Sequence, residues 1–350
     1  MKTYEGYSLL QHNTFGIDVK CNKFIEYDSI NDLSKIRESL TEPFMCVGHG
    51  SNLLFTHDYE GTILHCTKKG IRRLDDNDND NDDDNDDDDD NDDENHQPSY
   101  IEVGGGEVWD DVVDWCVQHG YYGAENLSLI PGETGAAAVQ NIGAYGVEAK
   151  DVIAFVDAYH LPTGKFRRFS NEECNYSYRS SIFKTDYKGQ YAILSVTLKL
   201  NTIFTPVLEY AGLKEHFSNS PVVTARDIRE AIINIRNSKL PDPKTTGNAG
   251  SFFKNPVVEQ SVFNALLLKY PNMPHYDAEN GVKIPAGWII DQCGWKGKSI
   301  GNAGVYEKQA LVLINKGNAS GNEILTLCKT IQNDVKNRFG IVIEPEVNII

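Results

Sequence analysis

Several familiar signatures are missing from this 350-residue chain, and each absence closes off a class of explanation. There is no Cys-x-x-Cys pair. The seven cysteines, Cys21, Cys46, Cys66, Cys116, Cys174, Cys293 and Cys328, are scattered and odd in number, which argues for reduced thiols in a reducing compartment and against structural zinc. No apolar run approaches the roughly 20 residues that cross a bilayer. The opening MKTYEGYSLLQHNTFG has neither an apolar signal core nor an Arg-rich transit character, so a soluble, cytoplasmic protein without a membrane partner is expected. No basic tract with interleaved aromatics occurs, so no nucleic-acid partner is expected. Positive charge is absent from residues 75–94, which hold fourteen Asp and one Glu; without those fifteen charges the formal net charge of −18 becomes −3. The acidity therefore belongs to one insert and says little about the folded body. Such a tract cannot bury enough apolar surface to offset its ordering entropy, and 75–97 is expected to be a disordered insert between strands at Gly61–Cys66 and Tyr100–Val103. It lacks the glycine and terminal Glu spacing of an EF-hand, so no specific metal site is expected.

What is present points to more than one domain, because 350 residues exceed what a single core usually serves. The organising stretch is Gly123–Lys150, GAENLSLIPGETGAAAVQNIGAYGVEAK. Its small residues let backbone approach a flat or phosphorylated ligand, while Leu127, Leu129, Ile130, Val139, Ile142 and Tyr145 ask for burial in a way that linkers do not. A backbone wrap around a cofactor is the expectation, with a glycine-rich surface loop as the alternative.

Two dinucleotide fingerprints fail. After Phe44–Val47, Gly48-His49-Gly50 leads into the strand-like Leu53-Leu54-Phe55 rather than a helix, and Gly104-Gly105-Gly106 is followed by Trp109 where a third glycine belongs. A strand-turn-strand with Gly48, Gly50, Ser51 and Asn52 at the bend still offers N–H groups to a pyrophosphate. His49 could be a ligand or an ordinary turn residue.

Periodicity predicts a helix from Val108 to Gly120 and strands at Ile153–His160, Lys165–Phe169 and Tyr191–Leu200, with a hairpin turn at Pro162-Thr163-Gly164. Further helices are predicted at Thr224–Asn237, Val262–Tyr270 and Asn322–Phe339, the last opened by a Ser320/Glu323 capping box and stopped by Gly340. A terminal strand, 341–350, would place Ile341, Ile343, Val347 and Ile349 on one face and Glu344, Glu346 and Asn348 on the other. The domain expectation is 1–205 in two lobes (about 1–70 and 98–205), then 206–340, then the terminal strand.

Three polar groups ask for an explanation. Arg179 sits among aromatics in Tyr176–Lys184, and Ser251 follows a glycine turn in Gly247–Pro256; Glu346 lies on the outward face of the last strand. Residue type alone allows a surface ion pair, a turn cap and a solvated carboxylate. No Gly-x-Ser-x-Gly elbow surrounds Ser251, which argues against acyl transfer, whereas a hydroxyl that only donates a proton to a carbanion needs no activating base.

AENLSLIPGETGAAAVQNIGAYGVE closely resembles the flavin-binding segment of the UDP-N-acetylenolpyruvoylglucosamine reductases, and the resemblance runs from Asn13-Thr14-Phe15-Gly16 to Glu344-Pro345-Glu346-Val347. It implies an α+β fold, a two-lobed FAD-binding domain of the vanillyl-alcohol-oxidase/PCMH type with a smaller α+β substrate-binding domain. It also implies NADPH-dependent reduction of a UDP-sugar enolpyruvyl ether in peptidoglycan precursor synthesis, by a monomer. Gly48, Gly50, Ser51, Asn52, Gly132, Gly135, Gln140, Asn141, Ile142, Gly143 and Gly146 would hold FAD. Arg179, Ser251 and Glu346 would be catalytic. Tyr210 (as a lid), Arg236, Lys239, Asn255 and Gln309 would bind substrate. The acidic insert departs from the family pattern and leaves its own role open. A flavin oxidase acting on an alcohol and a non-catalytic nucleotide-sugar binder are the competing readings; the second predicts a colourless protein.

Overall fold

The structure is a computed structural model that describes residues 1–74, 97–218, 220 and 222–350. Apart from Gln97, the acidic insert expected at 75–97 lies outside the described residues. The described chain forms two compact units. The first comprises Met1–Glu5, Asn22–Gly48 and Gly61–Arg236; the second comprises Gly6–Cys21, His49–Glu60 and Asn237–Ile350. This division differs from the expected linear split near residue 205, because two N-terminal stretches join the C-terminal part.

The core of the first unit is a five-stranded sheet in the order Lys165–Ser170, Ile153–His160, Tyr191–Leu200, Ser99–Gly104, Ile71–Arg73, with antiparallel neighbours throughout. Tyr191–Leu200 is central, and its residues from Ala192 to Leu198 are all buried, so both of its faces are covered. Ala192 and Leu194 pack with Leu33, Ile36, Leu64 and Tyr159 on one side. Ile193, Val196 and Leu198 pack with Trp109, Val113, Ala137 and Ala138 on the other. The predicted helix is found at Trp109–Gln118, and the hairpin joins His160 to Lys165 as expected. One strand of this sheet escaped the sequence reading. Ile71–Arg73 pairs with Ser99–Gly104, and Leu74 N–H donates to Tyr100 O (2.8 Å), so the insert interrupts this hairpin rather than the link from Gly61–Cys66.

The glycine-rich stretch is more ordered than a simple wrap. Ala136–Ala138 have the best helix propensity of any residue type, and a seven-residue helix forms at Thr134–Gln140. Asn141 ends it in the left-handed conformation (φ 48°), a role asparagine tolerates, and a short hairpin, Gly143–Ala144 with Val147–Glu148, follows.

In the second unit a sheet runs Gly247–Ser251, Val312–Asn315, Ala303–Val305, Ser299–Ile300. The helix Gly321–Phe339 lies against it and buries Ile324, Cys328, Ile331, Val335 and Phe339, the predicted register, with the Ser320/Glu323 capping box formed and Gly340 at φ 68°. The terminal strand needs correction. Ile341, Ile343 and Val347 are buried, but ladder pairing is confined to Asn348–Ile349 alongside Leu53–Leu54 and to a bridge at Pro345, which has no N–H to give; Ile349 is 39% exposed.

Candidate active site

In the first unit the glycine-rich hairpin and the Arg179 loop grip each other. The Arg179 guanidinium donates to Asn141 O (3.4 Å) and Gly143 O (2.5 Å) and lies 3.8 Å from a Glu148 carboxylate oxygen. A Cβ at Gly143 would sit 2.6 Å from Arg179 Nη1 and push the guanidinium from its present seat. Asn141 Nδ2 donates to Ser177 O (2.9 Å), and Ser181 Oγ donates to Val139 O (2.7 Å). Arg179 has φ 55°, a left-handed conformation that costs a non-glycine residue roughly 1–2 kcal/mol. Strain of this kind is retained where surrounding bonds over-determine it. The Arg179 side chain is 18% exposed, so its planar fork is fixed and partly desolvated without being sealed off.

Tyr210 and Arg236 each approach Tyr145 in the same unit. The Tyr210 ring packs edge-on against Tyr145 at 5.2 Å, while half of Tyr210 stays exposed. Arg236 Nε donates to Leu129 O (3.2 Å), and burial lowers its pKa against the opposing pull of Tyr145 and Asp110. Burial likewise pushes the Tyr145 phenol up.

The remaining nominated residues of this unit have mainly architectural contacts. Gly132 (φ 128°) gives its carbonyl to Trp109 N–H, and Gly135 N–H donates to Gly105 O. Ile142 packs on the core, and Gly146 has φ 86°. Gly48 lies beneath Glu133, whose Oε2 would be 2.8 Å from a Cβ there.

The sequence reading missed Glu133 and its partner His65. The two are 3.6 Å apart, and their side chains are 5% and 9% exposed. His65 Nδ1 faces Val47 O at 2.9 Å, so that nitrogen carries the proton and Nε2 is the one turned to Glu133. Burial raises the Glu133 carboxyl to about 8, with Lys69 opposing, and lowers His65. From the ordinary carboxyl value of 4.5 up to about 8, the folded chain holds a proton that the unfolded chain has released, so stability falls as pH rises through this window. The His65 contribution has the opposite sign and is complete once pH passes 6.5. Above that point the carboxyl acts alone, at a cost of about 2 kcal/mol by pH 8. Glu133→Gln is therefore expected to flatten the decline in Tm between pH 6.5 and 8.5, which thermal melts across that range will measure.

In the second unit the backbone joins the other two catalytic candidates. Glu346 N–H donates to Phe252 O (2.8 Å), and Lys254 N–H donates to Glu344 O (2.9 Å), so the segment after Ser251 runs beside the Glu346 segment. Asn52 joins them, with Nδ2 donating to Glu346 O (3.4 Å) and its own carbonyl accepting from Asn348 N–H (3.0 Å). The turn holding Ser51 is tight: Gly50 has φ 65°, and a Cβ there would lie 1.9 Å from His12 O. Ser251 is exposed and Glu346 half-buried. Asn255 and Gln309 converge on the start of helix Ala286–Gln292, where Asn255 Oδ1 accepts from Ala286 N–H (2.9 Å) and Gln309 Oε1 lies 3.0 Å from the Cβ position of Gly287. Lys239 is exposed at the end of helix Ala225–Lys239. Among the described residues no group of three or more His, Cys, Asp or Glu side chains is placed to hold a metal ion, and no helix is long and apolar enough to cross a membrane.

Comparison with known proteins accounts for both units. A family model described as an FAD binding domain matches residues 22–170, and one described as the C-terminal domain of UDP-N-acetylenolpyruvoylglucosamine reductase matches 242–350. The chain is 48% identical over 347 residues to the UDP-N-acetylenolpyruvoylglucosamine reductase of Bacteroides fragilis, covering 98% of this chain and 99% of the relative. It is 44% identical over 355 residues to that of Porphyromonas gingivalis, covering both chains in full. The crystal structure of the Thermus caldophilus enzyme superposes with a TM-score of 0.65 at 20% identity, over 99% of this chain and 98% of that one, and shares the fold. The expected fold class, α+β with an FAD-binding domain, is met. Identity at this level over nearly the whole length of both chains has one reading: the chain belongs to the UDP-N-acetylenolpyruvoylglucosamine reductase family.

Proposed function

We propose that the protein reduces the enolpyruvyl ether of UDP-N-acetylglucosamine to UDP-N-acetylmuramate, using NADPH and bound FAD, as a cytoplasmic monomer in peptidoglycan precursor synthesis. The observation that carries this reading is the end-to-end match to reductases of that name in a chain where the Ser251 and Glu346 segments are hydrogen-bonded together. The flavin, when bound, supplies hydride exchange between NADPH and the terminal carbon of the enol ether. The residues present fit that group. Small side chains line the Gly132–Gly146 segment, and Asn126 Oδ1 is buried there with no hydrogen-bond partner among the described residues, although Asn126 Nδ2 is satisfied by Tyr145 O and Val207 O. Gly48, Gly50, Ser51, Asn52, Gly132, Gly135, Gln140, Asn141, Ile142, Gly143 and Gly146 would hold it.

Arg179 and Glu346 stabilise charge that gathers on the substrate carboxylate as the terminal carbon gains hydride. The Ser251 hydroxyl gives its proton to the neighbouring carbon, which completes the lactyl ether. Arg236, Lys239, Asn255 and Gln309 bind the nucleotide and diphosphate, and Tyr210 closes over them from its seat on Tyr145. No nucleic acid or membrane takes part. Purified protein should be yellow, bleach with NADPH under anaerobic conditions, and there regain colour only when the enol ether is added, with lactyl ether as product. Peroxide formed from an alcohol without NADPH would favour an oxidase, and a colourless preparation that cannot be loaded with FAD would overturn the proposal.

A further inference from the structure

The loop that carries Arg179 is also held by a lysine with no part in the chemistry above. Lys184 Nζ donates to Gln140 Oε1 at 2.6 Å and to the main-chain oxygen of Arg179 at 3.0 Å. These bonds close a ring. The Arg179 guanidinium grips the carbonyls of Asn141 and Gly143, while the Arg179 carbonyl is tied through Lys184 to Gln140, one residue before the gripped segment. Both ends of the arginine are thereby referenced to Gln140–Gly143. An ammonium has donors only, so the Gln140 atom facing it is the carbonyl oxygen, which fixes the orientation of that amide. Lys184 also sits where strain would otherwise relax, because Arg179 is held at φ 55°.

We propose that Lys184 is a positioning residue for the reduction, locking the backbone of Arg179 and the amide of Gln140 into one rigid frame so that the guanidinium meets the substrate carboxylate in register. The inference rests on the catalytic role assigned to Arg179. Loss of the strut lets the guanidinium shift, and a displacement of about 1 Å at a charge-stabilising group lowers rate on the order of 100-fold.

The experiment uses the FAD-loaded protein and rapid mixing to separate flavin reduction by NADPH from flavin reoxidation by the enol ether. Lys184→Met is expected to slow reoxidation by at least about tenfold while flavin reduction changes less than about threefold. The same substitution in an Arg179→Gln background is expected to change reoxidation by less than about twofold, because the group being positioned is gone. Lys184→Arg, which keeps donors and charge, should recover part of the rate, and it replaces the methionine variant if that one does not retain flavin. Unchanged reoxidation in Lys184→Met overturns the inference. So does an equal loss in both backgrounds, or a parallel loss in both half-reactions together with a lowered Tm, since either marks a merely structural lysine. Failure of the unsubstituted protein to reoxidise with the enol ether overturns the functional proposal itself, and this inference with it.

Discussion

Ser251→Ala is expected to bleach with NADPH at the rate of the unsubstituted protein and then to form lactyl ether on the order of a thousand times more slowly, within the range of a positioned general acid. The split follows from where the residue sits. Ser251 ends the strand Gly247–Ser251, and the next residue, Phe252, is buried and accepts the Glu346 N–H, so removing one hydroxyl at an exposed position leaves the packing intact. Flavin reduction needs no proton at the substrate carbon and should be indifferent to the change. Stopped-flow bleaching and chromatographic product assay on one preparation measure the two rates. Lactyl ether made at the normal rate would remove Ser251 from the mechanism.

Arg179→Gln is expected to lower kcat about 100- to 1,000-fold, the usual cost of deleting one preorganised donor to a developing oxyanion, while KM for the enol ether rises less than about tenfold. Binding is spread over several residues, whereas charge on the carboxylate grows only as hydride arrives. Arg179→Lys should recover little, because an ammonium cannot span Asn141 O and Gly143 O in the planar geometry of the guanidinium. Stability should drop by only about 1–3 kcal/mol, the net worth of the two lost hydrogen bonds. Steady-state kinetics with a thermal melt on each variant test this. A large KM effect with an unchanged kcat would recast Arg179 as a binding group.

The long periodic helices were legible because each pays for itself through one apolar stripe: Ile324, Cys328, Ile331, Val335 and Phe339 announce both the helix and its buried face. The helices Ala211–His216 and Ala286–Gln292 were not, because one or two turns leave too few positions to define a period. Thr134–Gln140 was hidden for another reason, since glycine on both sides of its alanines reads as loop. Ile71–Arg73 is short, and its two arginines are exposed, which disguises an edge strand as a charged turn. At the site, Arg179, Ser251 and Glu346 could be nominated only through family resemblance, because each residue type in its local setting had an ordinary structural explanation. What no linear reading could supply were partnerships across sequence distance: Glu133 over Gly48 with His65 beside it, and the ring through Lys184. Burial and proximity create them, and neither is written in the neighbours along the chain.

The hairpin of Ile71–Arg73 with Ser99–Gly104 bears on the acidic stretch that interrupts it. Leu74 and Tyr100 are hydrogen-bonded where the chain departs from the sheet and comes back, so the exit and return points lie side by side. That geometry makes the interruption modular: evolution, or an engineer, can lengthen it, swap it or trim it to a tight turn without asking any strand of the sheet to change register.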